Sequence, residues 1–102
     1  MKIGRELKAG DICYAVGPDG KVDEVKVKEI EGTNVKHELH IIFDNKCHGH
    51  CYESWNYSNM GMFDCTVYFD IESVKLALEK KSNFIMKEYV RMDELEKKQK
   101  TN

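Results

Sequence analysis

From Val35 to Phe43 the chain alternates: Val35, His37, Leu39, Ile41 and Phe43 hold one parity, and Lys36, Glu38, His40 and Ile42 the other. Successive side chains of a strand point to opposite faces, so this period of two predicts a strand with one apolar face. On that pattern His37 points with the core set and His40 points outward. A single strand cannot cover its own apolar face and needs a partner. The expected partner is Cys51–Tyr57, with Cys51, Glu53, Trp55 and Tyr57 opposite Tyr52, Ser54 and Asn56. Asp44, Asn45 and Gly49 supply turn chemistry between the two. The run Cys47-His48-Gly49-His50-Cys51 therefore falls at the tip of the expected hairpin.

Turn signals recur about every ten residues on either side, the spacing of a small all-β unit. Ile12–Val16 is apolar on both faces and reads as a strand buried on both sides. Gly17-Pro18-Asp19-Gly20 is a turn in which Pro18 presets φ and either glycine can take positive φ. In Lys21–Ile30, Val25 and Val27 face away from Lys26 and Lys28, while Val22 and Ile30 are out of phase. That mismatch predicts a bulge or strong coiling. Ser58–Met62 reads as a loop, and Phe63–Phe69 as a fifth strand with Cys65, Val67 and Phe69 inward. Asp70 is placed to cap a helix over about Ile71–Lys81, with Ile71, Val74, Ala77 and Leu78 on one stripe.

The expected class is α+β, mainly β: a small five-stranded antiparallel barrel, then one short helix. Closing the sheet also protects its edges. Residues 1–82 are read as the barrel with its terminal helix. Residues 83–102 are an extension, strand or helix, whose end frays from about Glu94.

At 102 residues the chain makes one domain with one modest core. No apolar run approaches the roughly 20 residues of a membrane span. Met1–Glu6 lacks the apolar core of a secretory signal, so the expected compartment is the cytosol. Residues 1–69 carry 8 Lys and Arg against 11 Asp and Glu. That balance argues against nucleic acid as a partner, because such binders draw affinity from basic patches. In a reducing cytosol the four cysteines are not a disulfide framework.

The tip is the one local concentration of reactive side chains. Cys and His pairs on short spacers are zinc ligands, which makes Cys47, Cys51, His48 and His50 a candidate metal set. If residues 48–50 form a three-residue loop, Cys47 and Cys51 face each other about 5.5 Å apart. The spacing is not the C-x-x-C of common zinc modules, and an unliganded reduced loop is the plainer reading. Cys13 and Cys65 read as core thiols. Tyr52, Trp55 and Tyr57, with His48 and His50, form a candidate binding face, since Tyr and Trp dominate interface hot spots. Aromatics also stack on bases, which keeps a nucleotide pocket open, though no glycine-rich phosphate loop accompanies them. No serine lies in a nucleophile-elbow context, and enzymatic activity is not expected.

Leu7-Lys8-Ala9-Gly10-Asp11-Ile12-Cys13-Tyr14 resembles the opening of small SH3-like barrel proteins encoded by phages and prophages of Firmicutes and related gut bacteria. The ending is similar too: Gly61, then Thr66-Val67-Tyr68-Phe69-Asp70 leading into Ile71–Leu78. The resemblance implies an SH3-like barrel in a phage or mobile-element setting and carries no catalytic residue. The expectation it supports is a non-enzymatic protein of the host bacterial cytoplasm that covers a host protein. Inhibition of a defence system, in the manner of an anti-CRISPR protein, is its most concrete form. A barrel that sequesters a nucleotide and a zinc-binding regulatory module are the alternatives. The cysteine–histidine tip and the segment after Ser82 depart from the family pattern.

Overall fold

A computed structural model describes residues 2–3, 6–34, 36–52, 59–62, 64–80 and 86–100, apart from the side chains of Tyr52, Met62 and Lys100. Its elements are β1 (Ile12–Val16), β2 (Val22–Gly32), β3 (Glu38–Phe43), β4 (His48–Tyr52), β5 (Asn59–Met62), β6 (Cys65–Tyr68), α1 (Ile71–Glu79) and α2 (Met86–Lys100). The strands form one antiparallel sheet in the order β4-β3-β2-β1-β6-β5, and β4 returns against β5 to give a nearly closed barrel. Among the described residues no helix is long and apolar enough to cross a membrane.

β2 does most of the bending. Its first half pairs with β1, Val16 against Val22 through Ile12 against Lys26, and its second half pairs with β3. The register shifts between Val27 and Glu29, which is the bulge that the out-of-phase Ile30 predicts; Val22 is out of phase because it packs with Tyr14 and Val16 on the outer side of the barrel. Gly10 sits beside it with φ of 96°, where a side chain would be strained. The Gly10 N–H donates to the Val27 carbonyl and the Val27 N–H to the Asp11 carbonyl, both at 2.8 Å. Among the described residues, the first half of β2 has no strand on its far side. There Glu88 and Arg91 of α2 take the place of one: Glu88 Oε1 accepts from the Val22 N–H at 3.1 Å, and Arg91 donates to the Val22 carbonyl. The strand edge is thereby closed by side chains.

Among the described residues, six strands stand where five are expected. Asn59–Met62, read as a loop for its Asn and Gly, pairs in register with β6, and Met60 is buried inside the barrel. β1 is buried on both faces as expected because it lies between two cores. Cys13 and Ala15 face the barrel interior with Val25, Val27, Ile41, Phe43 and Val67. Tyr14 and Val16 face outward, under Ile71, Val74 and Leu78 of α1 and Met92 of α2.

Asp70 caps α1: it is extended, with φ of −151°, and Oδ1 accepts from the Ser73 N–H at 2.8 Å. The Lys2 N–H donates to its other oxygen, tying the N-terminus to the helix. Burial pushes this carboxyl up, but the bonds from Lys2 and Ser73 together outweigh it and hold the group below its usual range. The helix ends slightly early, with Lys80 as its C-cap. Ser73, expected on the polar side, is buried.

Helix wins over strand for the C-terminal segment, and the helix runs through Glu94 to Lys100. At 15 residues the helix is marginal by itself in water, and tertiary contacts hold it. Met92 is fully buried, with Tyr89 and Leu95 packed beside it. Lys75, which reads from the sequence as a solvated residue, bridges the helices: Nζ lies 2.6 Å from Asp93 and 3.0 Å from Glu96. Those two carboxylates push its ammonium group up.

Candidate functional site

The β3–β4 hairpin turns earlier than its composition suggests. Asp44, Asn45 and Lys46 form the loop: the Lys46 N–H donates to the Phe43 carbonyl at 3.0 Å and the Phe43 N–H to the Cys47 carbonyl at 2.8 Å. Asn45 Oδ1 accepts from the Cys47 N–H at 3.0 Å. Lys46 has φ of 71°, the left-handed third position of a three-residue hairpin loop. Because a β-carbon is strained there, Lys46→Gly is expected to stabilise the protein by roughly 1 kcal/mol. Chemical denaturation measures this directly; a loss of stability would place the turn elsewhere.

This loop sets the register. Leu39 opposes Cys51, His40 opposes His50 and Ile42 opposes His48. His48-Gly49-His50, expected in the loop, is strand, and parity sends its two imidazoles to the outer face. Cys47 and Cys51 go to the other face. Cys51 is buried in the barrel core and Cys47 packs against that core. Burial pushes the Cys51 thiol up. The expected set of Cys47, Cys51, His48 and His50 is therefore split across the two faces of one strand, and the cysteines are not opposed across a hairpin.

His40 completes the outer face. Its Nε2 lies 3.0 Å from His48 Nδ1, a hydrogen bond in which one ring donates and the other accepts according to tautomer. The His40 and His50 ring centres are 4.6 Å apart. Two carboxylates flank the trio. Glu31, opposite His40 on β2, places Oε2 3.8 Å from His40 Nδ1. Glu38 places Oε1 3.5 Å from His50 Nδ1, and its other oxygen accepts from Thr33 Oγ1 at 3.3 Å. Among the described residues, no three His, Cys, Asp or Glu side chains stand as a group able to hold a metal ion.

His37 does not join the core set: it sits in the turn before β3 with φ of 65° and is exposed. The β4 backbone carries Tyr52 opposite Glu38. The Tyr52 side chain, Trp55 and Tyr57 lie outside the described residues. His40, Glu31 and Glu38 are the members that the sequence reading did not gather. The signal for them was the Asp44-Asn45-Lys46 turn, which fixes His40 against His50 once it is chosen over residues 48–50.

An open groove of about 600 Å³ lies between Lys21–Glu24 and α2, walled by Lys87, Glu88 and Arg91. Glu88 and Arg91 pair with each other at 2.8 Å and both bond Val22, so these charges serve helix docking. No protein-family model, curated protein or solved structure matches the chain.

Proposed function

We propose that this is a non-enzymatic binding protein whose working surface is the outer face of β3 and β4 with the stretch that follows. The observation that carries the reading is the cluster of His40, His48 and His50 between Glu31 and Glu38, on a paired ribbon that leads directly into Tyr52, Trp55 and Tyr57. Clustered imidazoles and carboxylates offer directional polar contacts, and Tyr and Trp supply interface hot spots. We read the barrel as SH3-like and its setting as a phage or mobile element. The Leu7–Tyr14 opening and the strand, cap and helix of Thr66–Leu78 support that assignment. The most concrete form of the function is anti-CRISPR-like: one copy covers a host defence protein in the bacterial cytoplasm and blocks it.

The test is a phage challenge in cells carrying an active CRISPR–Cas system, with and without this protein expressed. Restored plaques, and a stable complex with the effector on gel filtration, are the expected result. Trp55→Ala with Tyr57→Ala should abolish both while the purified variant keeps its melting temperature. Full immunity across a panel of such systems would overturn the defence reading. A nucleotide carried through native mass spectrometry would favour the sequestering barrel instead.

A further inference from the structure

We propose that His40, His48 and His50 bind one divalent transition-metal ion of the zinc class, on the outer face of β3–β4 and without any cysteine. The proposal does not depend on the identity of a protein partner.

The arrangement follows from chain geometry. Histidines separated by one residue on a strand stand on the same face about 6.5 Å apart. A third directly opposite one of them, on the neighbouring antiparallel strand, closes a triangle. Three neutral imidazoles with a fourth position left open form a recurrent zinc donor set, and imidazole also suits copper and nickel. The short Asp44–Lys46 loop holds the two strands in this register.

Distances point the same way. Two nitrogens bound to one tetrahedral zinc lie about 3.3 Å apart. His40 Nε2 and His48 Nδ1 are 3.0 Å apart, so a widening of a few tenths of an ångström lets an ion replace the shared proton. Each of the other two ring nitrogens near a carboxylate is a δ nitrogen: His40 Nδ1 faces Glu31, and His50 Nδ1 faces Glu38. A carboxylate beside Nδ1 favours the tautomer that carries its proton there and offers Nε2 to a metal, and metal-bound histidines commonly carry such a partner. Glu38 is itself oriented by Thr33.

The three nitrogens do not converge as they stand. The His40–His48 hydrogen bond draws two of them together, and the third must come from His50. That side chain is 52% exposed, with room to turn its Nε2 toward the pair.

Purified protein, without any partner, is titrated with Zn²⁺ by calorimetry and with Co²⁺ by visible absorption. One saturable equivalent is expected, with the visible bands of a nitrogen-ligated cobalt site and no thiolate charge-transfer band. His40→Ala and His50→Ala should each abolish saturation, whereas Cys47→Ser should leave it intact. Glu38→Gln should weaken binding about 10- to 100-fold. Circular dichroism melts of the same variants confirm that the barrel persists. No saturable binding by the parent protein overturns the proposal. So does a thiolate band, or binding that survives His40→Ala and fails in Cys47→Ser. Metal binding without effect on the phage challenge would leave this site standing and count only against the partner reading.

Discussion

Val74→Asp is expected to remove most of the stability of the protein. Val74 is fully buried on α1, between Ile71 and Leu78, in the cluster that also holds Tyr14, Val16, Val22 and Met92. Both helices and the outer side of β1 meet there. A carboxylate at this position would sit among apolar side chains with no cation in the cluster, and burying an unpaired charge is among the most destabilising single changes. A loss of about 4 kcal/mol or more is expected, against a total of about 5–15 kcal/mol for a domain of this kind. Leu76, two residues along the same helix, is 40% exposed. Leu76→Asp should therefore cost much less, about 1–2 kcal/mol, from lost apolar contact and lower helix propensity. Urea unfolding followed by circular dichroism separates the two. Equal losses would mean that α1 presents a different face to the sheet.

Phe43→Ala probes the other core and is expected to cost about 3–5 kcal/mol. Phe43 is fully buried inside the barrel with Val27, Ile41 and Val67. It is also the last residue of β3, and its backbone closes the hairpin loop through Lys46 and Cys47. Truncation leaves a cavity that a nearly closed barrel cannot collapse around, because the backbone on every side is held by strand pairing. The midpoint of guanidinium unfolding should fall with little change in slope. A loss below about 1 kcal/mol would show that the interior is not closed on this ring. Because the histidine face lies on the reverse of the same two strands, metal affinity in this variant reports how far the outer register depends on the packing beneath it.

Much of the fold was legible because local rules and burial agree. Alternation in Val25–Lys28, the doubly apolar Ile12–Val16 and the Asp70 cap each predict the observed element. The out-of-phase Ile30 predicts the bulge between Val27 and Glu29, whereas Val22 breaks the alternation because it belongs to the core under the helices. Here a residue's chemistry and its surroundings make the same demand.

Elsewhere local chemistry was indifferent and packing chose. Cys and His favour neither strand nor turn strongly, so the hairpin could turn at Asp44–Lys46 or at residues 48–50. The first solution seats Cys51 in the core and puts both imidazoles on the outer face of the strand. Asn59–Met62 looked like a loop until β6 offered it a ladder and the barrel offered Met60 a buried site. Met86–Lys100 is of marginal length for a lone helix, and it is held because Met92 packs with Val74 and Leu78 while Lys75 holds Asp93 and Glu96. The sequence by itself determined a β-rich unit with a capped helix and placed histidines near one hairpin. Only tertiary structure joined His40 to His48 and His50 and parted them from the cysteines. A shift of one residue in strand register exchanges the two faces, and register is decided by the core as a whole.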